Sequence, residues 1–142
     1  MQENQKATNL NLKDKTFTST VMNEGFPQLT EKPWGKEILA VVNDKYALKE
    51  IHMIKDTRSS LQSHTQKQET IWVLSGKIEL ELKDDNGTVI KRTFKEGEGY
   101  TVPPGLIHRV KVIEDAVLIE VSTPELQDVI RHEDDYGRKD NP

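Results

Sequence analysis

From Lys36 onward, apolar residues recur at every second position over much of the chain. That spacing marks strands with one face turned into a core. Glu37-Ile38-Leu39-Ala40-Val41-Val42 is a candidate strand closed by an Asn43-Asp44 turn. Tyr46 to Ile54 alternates, with Lys49, Ile51 and Met53 on one face. Thr70 to Leu74 reads as a strand that stops at Ser75-Gly76, and Lys77 to Leu82 alternates as a half-buried strand. Asp84-Asp85-Asn86-Gly87 is a hairpin turn in which Asn-Gly supplies the positive-φ residues. Thr88 to Phe94 returns from it, and Ile107–Val112 and Ala116–Val121 follow as strands. Many short strands separated by turns predict an all-β sandwich or barrel. Thr123-Pro124-Glu125 reads as a helix start, with Thr123 capping and Pro124 in the first turn, so a short C-terminal helix is expected through Ile130.

Ahead of the strands, residues 1–30 are polar and contain few apolar side chains, among them Leu10, Leu12, Phe17 and Phe26. This reads as an arm, in which the alternation Thr16–Val21 allows a short edge strand. Residues 31–142 form a single domain on this reading, as suits a chain of 142 residues. Hydrophobic residues make up 34% and charged residues 31%, so a sheet shared in a homodimer would help bury more apolar surface. The net charge of −4 and the lack of a basic stripe argue against nucleic acid as a partner. Without cysteine, neither a disulfide framework nor thiolate chemistry is available. No apolar run reads as a signal-peptide core or a membrane span, so the expected setting is the cytoplasm, with no membrane partner.

Two segments carry the candidate chemistry. Ser60-Leu61-Gln62-Ser63-His64-Thr65-Gln66-Lys67-Gln68-Glu69 offers Gln62, His64 and Glu69. Gly97-Glu98-Gly99-Tyr100-Thr101-Val102-Pro103-Pro104-Gly105-Leu106-Ile107-His108 delivers His108 just after a Pro-Pro-Gly turn. Gln62 and His64 are two apart, so on a strand they share a face. His108 alternates with Val110 and Val112, which places it inward, where a buried ring needs a partner. Two imidazoles, a carboxylate and an amide oxygen suit a divalent first-row metal, and Zn, Mn, Fe, Co and Ni all tolerate the set. Singly, each histidine is more simply explained as a hydrogen-bonded core or surface group.

The two segments resemble the paired motifs of the cupin superfamily. His64, Glu69 and Gly76 fall at the places of its first motif, with Gln62 where a histidine is usual. Gly97, Pro103, Gly105 and His108 match the second. Leu61-Gln62-Ser63-His64 with Lys67 and Glu69 looks like the mannose-6-phosphate isomerase type. Pro33-Trp34-Gly35, Tyr46 to Ile51, Ile119-Glu120-Val121, Asp128-Val129-Ile130-Arg131 and Glu133 to Arg138 agree with that type. The resemblance covers about residues 32 to 138. It implies a cupin double-stranded β-helix, or jelly-roll barrel, a metal held by Gln62, His64, Glu69 and His108, and a sugar or sugar phosphate as the small-molecule partner. It departs from the type in having Lys67 for an arginine, Ile71 for a tryptophan with Trp72 one later, and Thr57 near a usual glycine. The type's usual nucleotidyltransferase partner domain is not read in these residues.

An aldose–ketose isomerase needs a base, and a means of stabilising enediolate oxygens. Lys49 is a candidate stabiliser or acid if its face is inward, or a solvent lysine if not. Glu120 interrupts an apolar run, and the resemblance favours it as the base over an outward glutamate. Arg131 and Arg138 are candidates for a phosphate, with ion pairs to Glu133, Asp134 and Asp135 as the plainer alternative, above all for Arg138. Lys67 would stand in for the missing arginine as a point charge. Arg109 alternates outward, toward an inter-strand or subunit contact. His52 and His132 carry no role on this reading. Two other functions stay open: a cupin that binds a sugar without turning it over, and an Fe(II) oxygen-using cupin, which the same ligands allow.

Overall fold

A computed structural model describes residues 19–138 of the chain, and the readings for residues 1–18 lie outside the described residues. One helical turn, Ser19–Met22, stands where the arm's alternation had suggested the end of an edge strand. The strands that follow are β1 (Gln28–Lys32), β2 (Gly35–Val42), β3 (Ala47–Met53), β4 (Leu61–Ser63), β5 (Glu69–Lys83), β6 (Val89–Lys95), β7 (Gly99–Val102), β8 (Ile107–Ser122) and β9 (Ile130–Glu133). No helix among the described residues is long and apolar enough to cross a membrane.

The sheet curls because β5 and β8 each run through both of its walls. The first half of β5 pairs with the second half of β8, from Glu69↔Ser122 to Val73↔Leu118. Its second half pairs with the first half of β8, from Ile78↔Val112 to Lys83↔Ile107. Register shifts between Val73 and Ile78 make the bend, since each bulge adds twist and re-aims the strand. Gly76 sits at this bend with φ +87°, and a Cβ there would collide with the carbonyl oxygen of Asp115. One wall is thus β1-β2-β3-β8-β5-β7, and the other is β9-β4-β8-β5-β6. The result is a jelly roll, as expected. The pairs of short strands expected around Ser75-Gly76 and around Glu114-Asp115 are instead two long, bent strands.

Three further details differ from the sequence reading. The C-terminal helix is absent. The chain turns at 123–129, with Leu126 N donating to Pro124 O at 2.8 Å and Val129 N to Gln127 O at 3.0 Å. It then adds β9 to β4, with Gln62 opposite Arg131. A helix this short is marginal alone, and strand pairing together with the contacts of Asp128 gives these residues better partners. In the 84–88 loop, Gly87 takes positive φ but Asn86 does not. Asp84 fixes that loop by accepting the amides of Asn86 and Thr88 at 2.9 and 2.8 Å. Residues 28–30, read as part of the arm, belong to β1, which pairs antiparallel with β2.

Inward side chains form one continuous stripe that changes character along its length. Ile51, Met53, Val73, Ile78, Leu80, Phe94, Val112, Ala116 and Leu118 pack as the apolar core. Each buried Ile, Leu or Val contributes roughly 1.5–3 kcal/mol. One register step away the stripe turns polar. Lys49 lies opposite Glu120, next to the Ile51↔Leu118 pair. Glu69, Lys49 and Glu120 are all buried. The apolar end holds the barrel together, and the polar end lines a cavity.

Candidate metal centre

β4 carries Gln62 and ends at Ser63, so His64 opens the loop that leads to Glu69 at the start of β5. His108 is the second residue of β8 and lies opposite Gln62 in register. His64, Glu69 and His108 are buried, and their donor atoms lie within 4.8 Å of one another. Glu69 Oε1 is 3.2 Å from His108 Nε2 and 3.4 Å from His64 Nε2. Gln62 lines the same cavity, and its Oε1 accepts from Ser60 Oγ at 3.0 Å.

Both rings are oriented from behind. His64 Nδ1 donates to the carbonyl of Asp128 at 2.6 Å, and His108 Nδ1 donates to that of Leu106 at 2.9 Å. A carbonyl only accepts, so in the neutral rings the proton sits on Nδ1 and the Nε2 lone pairs face the cavity. In neutral rings two lone pairs and a carboxylate oxygen therefore converge, and the 3.2 Å contact of His108 Nε2 with Glu69 Oε1 becomes a hydrogen bond when that ring carries a second proton. His64 Nε2 is buried without a hydrogen-bond partner. Such a cluster is unfavourable unless a cation sits in it, either a proton or a metal ion. The donor set is one that divalent first-row metals accept, so the residues fit a metal.

A charged ladder runs on from Glu69. Lys67 Nζ is 2.8 Å from Glu69 Oε2 and 3.7 Å from Glu120 Oε2. Lys49 Nζ is 3.8 Å from the same Glu120 oxygen and 2.7 Å from Glu37 Oε1. Burial pushes the Glu120 carboxyl up and Glu69 pushes it further, against Lys67 and Lys49, to about 8. Burial also opposes ionisation of Glu69, but His108, His64 and Lys67 outweigh it and hold that carboxyl well below its ordinary value. For Lys67, burial favours the neutral form, and the carboxylates of Glu120 and Glu69 overcome it and raise its pKa. The two glutamates are thus driven apart, one a fixed anion beside the imidazoles and the other poised near neutrality.

The cavity, about 390 Å³, has these groups on one side. Trp34, Ile51 and Leu118 are among its apolar lining, and Arg131, Arg138 and Gln127 come from the C-terminal segment. Lys49 and Glu120 face inward and line the cavity. Arg138 makes the expected ion pair, with two bonds to Asp134 at 2.9 and 3.0 Å. Lys67 is buried and committed to Glu69 and Glu120. Arg109 is covered, with Nε donating to Ser59 O at 3.1 Å and Nη1 reaching Glu133 at 3.5 Å. His52 pairs with Glu50 at 2.6 Å, and His132 Nε2 lies 2.9 Å from Ser63 Oγ.

Several lining residues went unread in the sequence. Glu37 is one, because both parities of β2 are apolar. Gln28, Thr30 and Lys32 are others, since a polar strand facing a polar cavity looks like a solvated arm. Asp128 was read only as part of a motif. Its carboxylate accepts the amides of Thr65, Gln66 and Lys67 at 2.9, 2.6 and 2.8 Å.

Residues 50–122 match the family described as Cupin domain, and the chain belongs to that family. A search of curated proteins gave no significant match. Among solved structures, the chain is similar to the capsular polysaccharide assembling protein CapF of Staphylococcus aureus. The TM-score is 0.67 at 16% identity, covering 87% of this chain and 34% of that one. It is likewise similar to a mutant of the Bacillus subtilis oxalate decarboxylase OxdC, with TM-score 0.67 at 16% identity, covering 75% of this chain and 30% of that one. The chain thus spans about a third of each of these proteins, and at such identity the likeness is one of fold.

Proposed function

We propose that this cupin is a metal-dependent isomerase that moves a proton between adjacent carbons of a phosphorylated sugar. The sequence resemblance points to mannose 6-phosphate and fructose 6-phosphate. One observation carries the reading: Glu120, poised near neutral pH between two lysines, adjoins the His64–Glu69–His108 cluster in one cavity. His64, Glu69 and His108, with the Gln62 oxygen as fourth donor, would hold a divalent ion such as Zn, Mn, Fe, Co or Ni; the B. subtilis oxalate decarboxylase is described with Mn(II) centres. When bound, such an ion polarises the carbonyl and hydroxyl oxygens of a substrate. Glu120, ionised, takes the proton from C2 and returns it to C1 while the hydroxyl proton passes from O2 to O1, so carbon 2 is oxidised as carbon 1 is reduced. Lys49 stabilises the developing enediolate oxygens and holds Glu120 in place. Arg131, at the cavity wall, takes the phosphate by a bidentate bond.

A second reading has a specific observation behind it. Lys67, the residue offered in place of the missing arginine, is bound up with Glu69 and Glu120. With Lys67 so committed, phosphate recognition rests on Arg131, and the second reading is a cupin that binds a sugar or sugar phosphate without turning it over. NMR in deuterated water separates the two. Protein reloaded with Mn, Co or Zn is given mannose 6-phosphate, beside a Glu69→Ala/His108→Ala control. Metal-dependent deuterium entry at C2 with fructose 6-phosphate formation, lost in the control, supports the isomerase. Absence of exchange with every metal sinks it, and retained sugar-phosphate binding would then favour the second reading.

A further inference from the structure

We propose that Asp128 is the positioning residue of the metal centre: its carboxylate clamps the loop after His64, and its own carbonyl fixes that ring. The clamp is built from three consecutive amides, Thr65 donating to Oδ1 and Gln66 and Lys67 to Oδ2. Successive amides turned toward one anion make a nest. The carbonyl of the same residue accepts His64 Nδ1 at 2.6 Å, while His64 Nε2 has no partner. A capping carboxylate alone would be ordinary loop structure. Here one residue ties down the loop's backbone and, through a different atom, sets the tautomer of the histidine that begins it. Moving Asp128 would free the loop and the ring together.

The neighbouring contacts make the C-terminal segment a brace and not a tail. β9 pairs with β4 on both sides of Gln62. His132 Nε2 meets Ser63 Oγ at 2.9 Å, one residue before His64. Arg58 holds Asp135 through two bonds of 2.6 and 2.7 Å. The His64 ring is therefore fixed from a residue 64 positions away in sequence. Carbonyl and carboxylate partners of ligating histidines raise ligand basicity and lock ring orientation.

The test uses the full chain, and only its metal arm rests on the metal reading above. Long-range proton–nitrogen NMR of histidine-labelled, metal-free protein reads the tautomer directly. Wild type is expected to show His64 protonated at Nδ1, and an Nε2–H form would overturn the proposal. Asp128→Asn and Asp128→Ala should move His64 toward a mixture of tautomers. Titration of the same proteins with Mn(II) and Zn(II) should show affinity weakened about 10- to 100-fold. A wild-type tautomer together with affinity within about twofold of wild type would overturn the proposal. Should the substituted chains fail to fold, the wild-type spectrum still decides it. Tautomer loss in the variants with no metal bound by any protein would support the role of Asp128 and remove the metal reading instead.

Discussion

Replacing Glu120 by glutamine should stabilise the metal-free fold at high pH while abolishing proton transfer. The residue is buried at 6% exposure, and its carboxyl is raised from 4.5 to about 8. Between those values the folded chain holds a proton that the unfolded chain releases. Stability therefore falls as pH rises through this window and levels off above it. At ~1.4 kcal/mol per pH unit, the ceiling on the effect is about 5 kcal/mol. Water reaching an open cavity lowers the figure, and roughly 2–4 kcal/mol is the expected size. Glutamine keeps the shape and removes the titration. Urea unfolding of wild type and Glu120→Gln, with chelator present, at pH 5 and pH 9 measures it. The variant should gain a few kcal/mol on wild type between the two conditions. A difference between the proteins that is the same at both pH values, within ~0.5 kcal/mol, would refute the reasoning. It would mean that Glu120 titrates alike in folded and unfolded chains.

Gly76→Ala should cost ~2–4 kcal/mol in chemical unfolding, since positive φ and a collision with the Asp115 carbonyl act together; a near-neutral result would show that the β5 bend tolerates a side chain. Burial pushes Asp128 up, but the amides of Gln66, Thr65 and Lys67 outweigh it and hold the group at about 2, and Arg138 and Arg58 lower Asp134 and Asp135. These carboxylates add stability above their unfolded values near ~4, which is lost as pH falls through their lowered values, about 2 for Asp128; Asp128→Asn should flatten the acid limb of a circular-dichroism titration. Trp72, Leu74 and Val121 leave about half their surface exposed on the outer face of one wall. A homodimer would cover them, so Trp72→Glu should shift a sedimentation profile from dimer to monomer, and a monomeric wild type would dispose of the homodimer.

How much of this could be read from the sequence depended on whether the deciding contact was local. Alternation placed His108 inward with Val110 and Val112, and residue spacing brought out Gln62, His64 and Glu69. Glu120 was ambiguous because Val117, Ile119 and Val121 on one parity are as apolar as Ala116 and Leu118 on the other. Only pairing with β3 and β5 shows which face is inside. The C-terminal helix was read from a sound local signal, Thr123 followed by Pro124. It lost to contacts reaching back to residues 64–67, which no local pattern contains. The long β5 was cut at Gly76 because a glycine looks like an end where the sheet uses it as a bend, and β8 was cut between Val112 and Ala116, where Glu114-Asp115 interrupts the apolar run. β1 was hidden because its inward residues are polar and face a cavity, not a core.

That polar cavity accounts for the electrostatics of the site. Glu37, Lys49, Glu120, Lys67 and Glu69 form one connected ladder of three carboxylates and two ammonium groups. With every group ionised and both imidazoles neutral, it carries one negative charge in a largely buried setting. Protonating Glu120 cancels that charge, and so does protonating an imidazole. A divalent cation held by His64, Glu69 and His108 would reverse it and relieve the pressure on Glu120 to keep its proton. Proton and metal ion thus answer the same electrostatic deficit from opposite ends of the ladder. Occupation of one end sets the state of the other, and Lys67 is the rung through which they meet. On the proposed function, a cation at that end would free Glu120 to act as the base, and the ladder would couple metal loading to proton transfer.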